Sequence, residues 1–185
     1  MKITEAQLDA ELDRFGPERI RIVAELVHQG PPDGVGTALI LAMASRETNI
    51  ANIVGDRGHG RGWLQIDDRF HATWLKAHAG CKDGTWNAKF ASALPPGRVP
   101  TLTASTLKAI ELLHSNVAFA VSRQVPPSQR MRFAVAAYNA GAGGAISGFA
   151  GGNVDANTAH GDYSADVLSR RDAVAGYLKR HKLPV

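Results

Sequence analysis

Glu47, Asp56 and Asp67 are the residues of this 185-residue chain whose types and spacing could do chemistry. Glu47 closes an apolar helical run, and the glycine-rich stretch after it carries Asp56 before its turns and Asp67 behind them. A carboxylic acid that keeps its proton near neutral pH, across from a carboxylate that can activate water, is the equipment for acid and base cleavage of a glycosidic bond. The helical run covers residues 35–48, VGTALILAMASRET, and sets Gly36, Ile40, Met43 and Glu47 at spacings of four, three and four along one face. Glu47 is thereby aligned with the stripe that faces the core, where lost solvation raises a carboxyl pKa. On this helix alone a plainer reading stands beside it, in which Glu47 caps a surface turn or pairs with Arg46.

The segment that follows tips the balance toward chemistry. Gly55, Gly58, Gly60 and Gly62 interrupt every regular pattern before a strand-like run, Trp63-Leu64-Gln65-Ile66. Glycines at this density permit tight turns and close approach of a ligand to the backbone. A nucleotide loop is excluded: no hydrophobic strand precedes the glycines, no helix clearly starts from them, and the phosphate-binding lysine is missing. The loop instead supplies carboxylates on both sides of a reversal, with Asp68 expected to point away or to cap the next helix.

Three blocks in order carry a family resemblance. The first is Ser45-Arg46-Glu47, then the run from Gly55-Asp56-Arg57-Gly58 to Gly62, then Gln65-Ile66-Asp67-Asp68-Arg69-Phe70-His71. The second, Ala137-Tyr138-Asn139-Ala140-Gly141-Ala142-Gly143, matches a signature shared by goose-type lysozymes and soluble lytic transglycosylases. The third runs from Val154-Asp155 through Thr158, Gly161-Asp162-Tyr163 and Asp166-Val167. Together they resemble the goose-type lysozymes over about two-thirds of the chain. The resemblance implies a mainly α, lysozyme-like fold in which helices surround a catalytic helix and a small irregular β and loop region forms the cleft. It also implies roles. Glu47 is the general acid on the β-1,4 bond between N-acetylmuramic acid and N-acetylglucosamine. Asp56 and Asp67 hold or activate the attacking water, and Gln65, His71, Tyr138, Asn139 and Tyr163 belong to the sugar-binding cleft. The family inverts at the anomeric carbon, which fits carboxyls about 6.5–9.5 Å apart with a water between them. The link from Glu47 to the glycine loop is shorter than in the vertebrate members, a departure that bears on the cleft wall.

Composition agrees. At 185 residues and 44% hydrophobic content the chain suits one domain with a real core. An N-terminal helical segment, 1–33, is expected to pack on a lysozyme-like catalytic domain, 34–185. Residues 1–33 hold four basic and seven acidic side chains, a balance of −3, so residues 34–185 carry +7 and the chain as a whole +4. A cationic body raises the rate of encounter with an anionic bacterial wall. Nucleic acid is set aside, because no recognition motif accompanies the charge. Cys81 is the single cysteine, so no intramolecular disulfide forms. The first sixteen residues have no apolar core of a signal peptide, and no apolar run approaches the ~20 residues of a membrane span. The expectation is a monomer made in the cytoplasm without cofactor or metal, reaching peptidoglycan after release or delivery, as a phage-type endolysin does.

The supporting elements read as helical. Thr4 and Gln7 form a capping box before the stripe Leu8, Leu12, Phe15, and Pro17 opens a second helix to about residue 28, ended by Gly30-Pro31-Pro32. Further helices are predicted over 70–78, 103–122, 128–139 and 163–182, with an irregular stretch at 80–100 walling the cleft and a glycine-rich loop at 141–152 as a cleft rim. Trp63 and Phe133 are expected in the core, Tyr138 at the ligand, His59 in solvent, and the arginines and lysines of 170–182 on a solvated helix face. His78 and Cys81 are too few ligands for zinc. The reading is a peptidoglycan muramidase. Its rivals are a lytic transglycosylase, which needs only the glutamate and leaves 1,6-anhydro ends, and, outside enzymes, a wall-binding module or a cationic membrane-active protein.

Overall fold

The computed structural model describes residues 3–30, 34–78 and 99–185. The predicted cleft wall at 80–100 lies almost wholly outside them, as do Cys81, Trp86 and the Pro31-Pro32 helix stop. Helix α1 (Glu5–Phe15) starts with both halves of the capping box: Gln7 N donates to Thr4 Oγ1 at 3.3 Å and Thr4 N donates to Gln7 Oε1 at 2.9 Å. Helix α2 (Pro17–His28) has its proline in the first turn, where a missing N–H costs nothing. Helix α3 (Thr37–Thr48) is buried on nearly all sides from Thr37 to Ser45, and it ends where Asn49 and Ile50 turn left-handed at φ 54° and 53°.

A three-stranded antiparallel sheet follows, with β1 (Val54–Gly55), β2 (Gly60–Arg61) and β3 (Ile66–Asp67) in that order. Val54 pairs with Arg61 and Gly55 with Gly60, while Gly60 pairs with Asp67 and Arg61 with Ile66. Only Ile66 of the predicted strand run belongs to a strand. Trp63, Leu64 and Gln65 form a turn, because Trp63 and Leu64 are pulled fully inward and Gln65 adopts φ 49°.

Four more helices complete the described residues: α4 (Asp68–His78), bent at His71, α5 (Leu102–Ser122), α6 (Pro127–Ala150) and α7 (Tyr163–Arg180). The expected loop at 141–152 is helical to Ala150. Gly141 alone leaves helical geometry, at φ 71°, and the chain resumes as a second helical arm. That arm is stable because Ala145 and Gly148 are small enough to bury: a Cβ on Gly148 would sit 2.6 Å from the Asn153 carbonyl oxygen.

Packing follows the apolar stripes. α3 lies along α7 and α5 along α6, with α1 and α2 closing the other side. Leu8, Leu12, Phe15, Ile40, Met43, Trp63 and Tyr163 share one core, and Phe133, Ala145 and Val154 join a second, smaller cluster. Trp63 is fully buried and stacks on Phe15 with ring centroids 5.2 Å apart. The C-terminal helix is less solvated than its charge suggested. Arg170 is buried against Ser45 and Asp166, and Arg180 pairs with Glu5 and Asp9 of α1. No helix of the described residues is long and apolar enough to cross a membrane.

The two glycine environments in α6 give opposite expectations. Gly148→Ala must displace backbone and should lose about 1–3 kcal/mol, whereas Gly143→Ala, whose Cβ would meet nothing within 4 Å, should gain about 0.5–1 kcal/mol of helix propensity. Urea denaturation of the two variants checks the contrast, which fails if they change stability in the same direction.

Candidate active site

The site is built where the end of α3 faces the sheet. Glu47 sits in the last turn of α3, half-buried, and the Tyr163 hydroxyl at the start of α7 donates a hydrogen bond to its Oε1. Burial pushes the Glu47 carboxyl from an ordinary 4.5 up to about 7. The Tyr163 bond and the charge of Arg46 pull it down, and the negative charge of Asp56 adds to the rise. Arg46 does not pair with Glu47. Its guanidinium is committed to Asp162 at 2.8 Å and Asp166 at 3.1 Å. The alternative in which Glu47 is merely half of a neighbouring ion pair therefore falls away.

Tyr163 is itself held in place by a cap that begins eight residues earlier. The buried Asp155 carboxylate accepts from Ser164 N at 2.7 Å, Ser164 Oγ at 2.7 Å and Ala165 N at 3.3 Å, satisfying N–H groups in the first turn of α7. Burial opposes its charge, yet the bonds from Ser164, Arg132 and Ala165 win and hold its pKa below the usual carboxylate range. Behind α3, Ser45 donates to Glu11 Oε2 at 2.6 Å and accepts from Arg170 at 2.8 Å, which ties α1 and α7 to the turn that carries Glu47.

Across the cleft, Gln65 organises the sheet. Its Nε2 donates to Gly62 O at 2.7 Å and Ile53 O at 3.2 Å. A Cβ on either Gly55 or Gly60 would lie 2.1 Å from Gln65 Oε1. Those two glycines are thus required by the passage of Gln65 between strands, where sequence reasoning expected a ligand. Asp68 pairs with Arg61 at 2.6 Å and His59 at 2.8 Å, and His59 is bonded although about half exposed.

Asp56 and Asp67 converge on one cation. Arg69 Nη2 lies 2.5 Å from each carboxylate, and Arg69 Nε adds bonds of 3.0 and 3.1 Å to Asp67. Hydrogen bonding from Arg69, outweighing desolvation, lowers the Asp67 pKa from its ordinary 3.8. A cavity of about 350 Å³ is lined by Glu47, Asp56, Asp67, Gly60, Gln65, Arg69, Tyr138 and Asn139. A second, of about 470 Å³, shares Gln65, Asp67, Arg69, Tyr138 and Asn139 and adds Phe70, His71, Asn116 and the bend at Gly141. The two form one groove.

Most of the residues singled out from sequence therefore meet here. Tyr138 lines both cavities and donates to Leu64 O at 2.7 Å, and Asn139 accepts from Ala159 N at 2.8 Å. Burial, and then the charge of Lys108, lowers the His71 pKa, which favours a neutral ring in the outer cavity. Tyr163 lines neither cavity and touches Glu47 from within the core. Sequence reasoning gave no role to Arg69, Asp155, Glu11 or Ser45, though all but Glu11 lie in the blocks that carry the resemblance. Arg69, two positions beyond Asp67, carried a further signal, a cation within reach of an invoked carboxylate. Among the described residues no three His, Cys, Asp or Glu side chains gather closely enough to hold a metal ion.

A glutamate of raised pKa at a helix end shares a cavity with two aspartates of a small sheet, in a mainly α, lysozyme-like fold. The comparisons with known proteins agree. The chain is 30% identical to lysozyme g of Gallus gallus over 151 residues, covering 78% of this chain and 57% of that protein. It is 27% identical to lysozyme G of Dromaius novaehollandiae over 97% of this chain and 75% of the relative, and 29% identical to lysozyme g of Struthio camelus over 93% and 72%. The chain thus spans less than two-thirds of the Gallus gallus protein. No protein-family model matches the chain. The chain is similar over most of its length to goose-type lysozymes.

Burial of Glu47 has a stability consequence with a definite sign. A carboxyl whose folded pKa lies above its unfolded value contributes fully below the unfolded value, near 4.5, and its contribution is lost as pH rises through about 7. That rise corresponds to about 3 kcal/mol. Glu47→Gln, nearly isosteric and uncharged, should match the parent at pH 4 and exceed it by about 1–3 kcal/mol at pH 8. Chemical denaturation at the two pH values measures this, and an equal difference at both would mean that Glu47 is not held protonated by the fold.

Proposed function

We propose that the chain is a peptidoglycan muramidase that hydrolyses the β-1,4 bond between N-acetylmuramic acid and N-acetylglucosamine with inversion. The observation that carries this reading is the shared cavity, with Glu47 pushed up to about 7 on one side and Asp56 and Asp67 on the other. Glu47 gives its proton to the glycosidic oxygen as the C1–O bond breaks, so the leaving sugar departs as a neutral alcohol. The positive charge that grows at C1 is met by a water held by Asp67 and Asp56, one of which takes the water's proton as the new C1–O bond forms. Asp67, paired with Arg69, suits holding the water. Asp56, more exposed, is held to the same guanidinium through Oδ2. Tyr138, Asn139, Gln65 and His71 lie along the groove where flanking sugars would bind. The +7 on residues 34–185 favours approach to an anionic wall.

One observation favours a second reading, a lytic transglycosylase. An aspartate locked to arginine is a weak base, and Glu47 alone suffices when the muramic acid O6 attacks its own C1. Water-terminated and anhydro ends differ by one water, so mass spectrometry of digested wall fragments decides between the readings.

Two activity outcomes are expected. Glu47→Gln should reduce lysis of purified peptidoglycan by roughly 10²–10⁴-fold, and a near-parental rate would remove Glu47 from the role of acid. In the parent, activity should fall above about pH 7 as Glu47 loses its proton. Since the Tyr163 bond lowers the Glu47 pKa, Tyr163→Phe should move this alkaline limb to higher pH, and a pH–rate profile that moves the other way contradicts the assignment.

A further inference from the structure

We propose that Arg69 is a positioning residue that holds Asp56 and Asp67 as one unit and thereby decides whether water or the muramic acid O6 captures the cleaved sugar. The proposal rests on the muramidase reading above. Asp67 is at the end of β3 and Asp56 in the turn after β1, thirteen residues from Arg69, and the register of Gly55 with Gly60 and of Gly60 with Asp67 sets these two strand ends on one side of the sheet. One guanidinium joins their carboxylates. Its Nη2 touches both, its Nε spans both oxygens of Asp67, and the Arg69 backbone N–H donates to Asp67 Oδ1 at 2.8 Å. Among the described residues no other group donates to the Asp56 carboxylate. Asp56 and the next residue, Arg57, also adopt left-handed φ of 44° and 53°, a backbone that non-glycine residues hold only when other contacts compensate.

Two anions brought to one place repel, and without a cation one of them takes up a proton and ceases to be a base. Arg69 cancels one of the two charges and aims both carboxylates, while lying on both parts of the groove. With the pair intact, water is oriented at C1: its oxygen bonds to C1, one of its protons passes to an aspartate, the C1–O4 bond breaks and the Glu47 proton goes to O4. With the pair scattered, water is no longer aimed. The substrate's O6 then forms the bond to C1, the C1–O4 bond breaks, O4 receives the Glu47 proton, and the O6 proton returns to the Glu47 carboxylate. Atoms and charge balance in both, and the second path needs no aspartate.

The test uses the full chain and its Arg69→Gln and Arg69→Lys variants, with folding checked by thermal unfolding and near-ultraviolet circular dichroism. Each digests purified peptidoglycan, and water-terminated and anhydro ends are counted by mass spectrometry over a pH series. The parent alone tests the muramidase reading: no cleavage, or anhydro ends only, overturns that reading and this proposal with it. Given a hydrolytic parent, Arg69→Gln should lower water-terminated ends by about 10-fold or more, raise the anhydro share, and move the acid limb of the pH profile toward neutrality. Arg69→Lys, which reaches one carboxylate at a time, should fall between. An unchanged ratio of ends with an unmoved acid limb overturns the role of Arg69 and leaves the muramidase reading standing. Should the Gln variant fail to fold, the same two readouts on the Lys variant decide.

Discussion

Glu47 is kept in a poorly solvated place where burial outweighs the nearby positive charge, and much of the described structure bears on that balance. The nearest cation in sequence, Arg46, is drawn away by Asp162 and Asp166. The hydrogen bond that Glu47 does receive comes from a neutral donor, the Tyr163 hydroxyl, whose own pKa is raised by burial and by the glutamate's charge. A phenol in that state directs the carboxyl without neutralising it, so burial dominates and the pKa rises to about 7.

Holding such a group in one position takes contacts from distant parts of the chain. Asp155 caps α7 and sets Tyr163, while Glu11 and Arg170 meet at Ser45 on the buried face of α3. Glu11 is itself a buried carboxyl whose pKa is raised by desolvation. The N-terminal helices are thereby joined to the turn that bears Glu47 through polar bonds as well as through the shared core of Leu8, Leu12 and Phe15. A buried polar network of this kind favours one arrangement over others, since a shifted helix would leave charged groups unpartnered.

The opposite wall follows a different logic. It is a short sheet with little apolar mass, so its shape depends on side chains threaded through it: Gln65 between Gly55 and Gly60, Asp68 across to Arg61 and His59, and Arg69 across to Asp56 and Asp67. One wall is rigid because it belongs to the core, the other because its polar bonds close on each other. The groove between them has a carboxyl of raised pKa, Glu47, on one side and one of lowered pKa, Asp67, on the other, a separation of proton affinities of the kind that acid and base chemistry uses.

The sequence by itself determined the first three helices and the face on which Glu47 lies. Periodicity, the capping box and Pro17 placed α1 to α3 nearly to the residue, and the alignment of Glu47 with Ile40 and Met43 marked its burial. These are local signals, set by backbone geometry and by which face is apolar. Asp56 and Asp67 were also legible, as carboxylates flanking a reversal. Tertiary structure alone decided that one arginine joins them, that the glycines make room for Gln65, that the chain beyond Gly141 stays helical, and that Tyr163 serves Glu47 from inside the core. Each depends on groups far apart in the chain meeting at a few ångströms, and neither composition nor spacing encodes which partner a side chain finds when several could reach it.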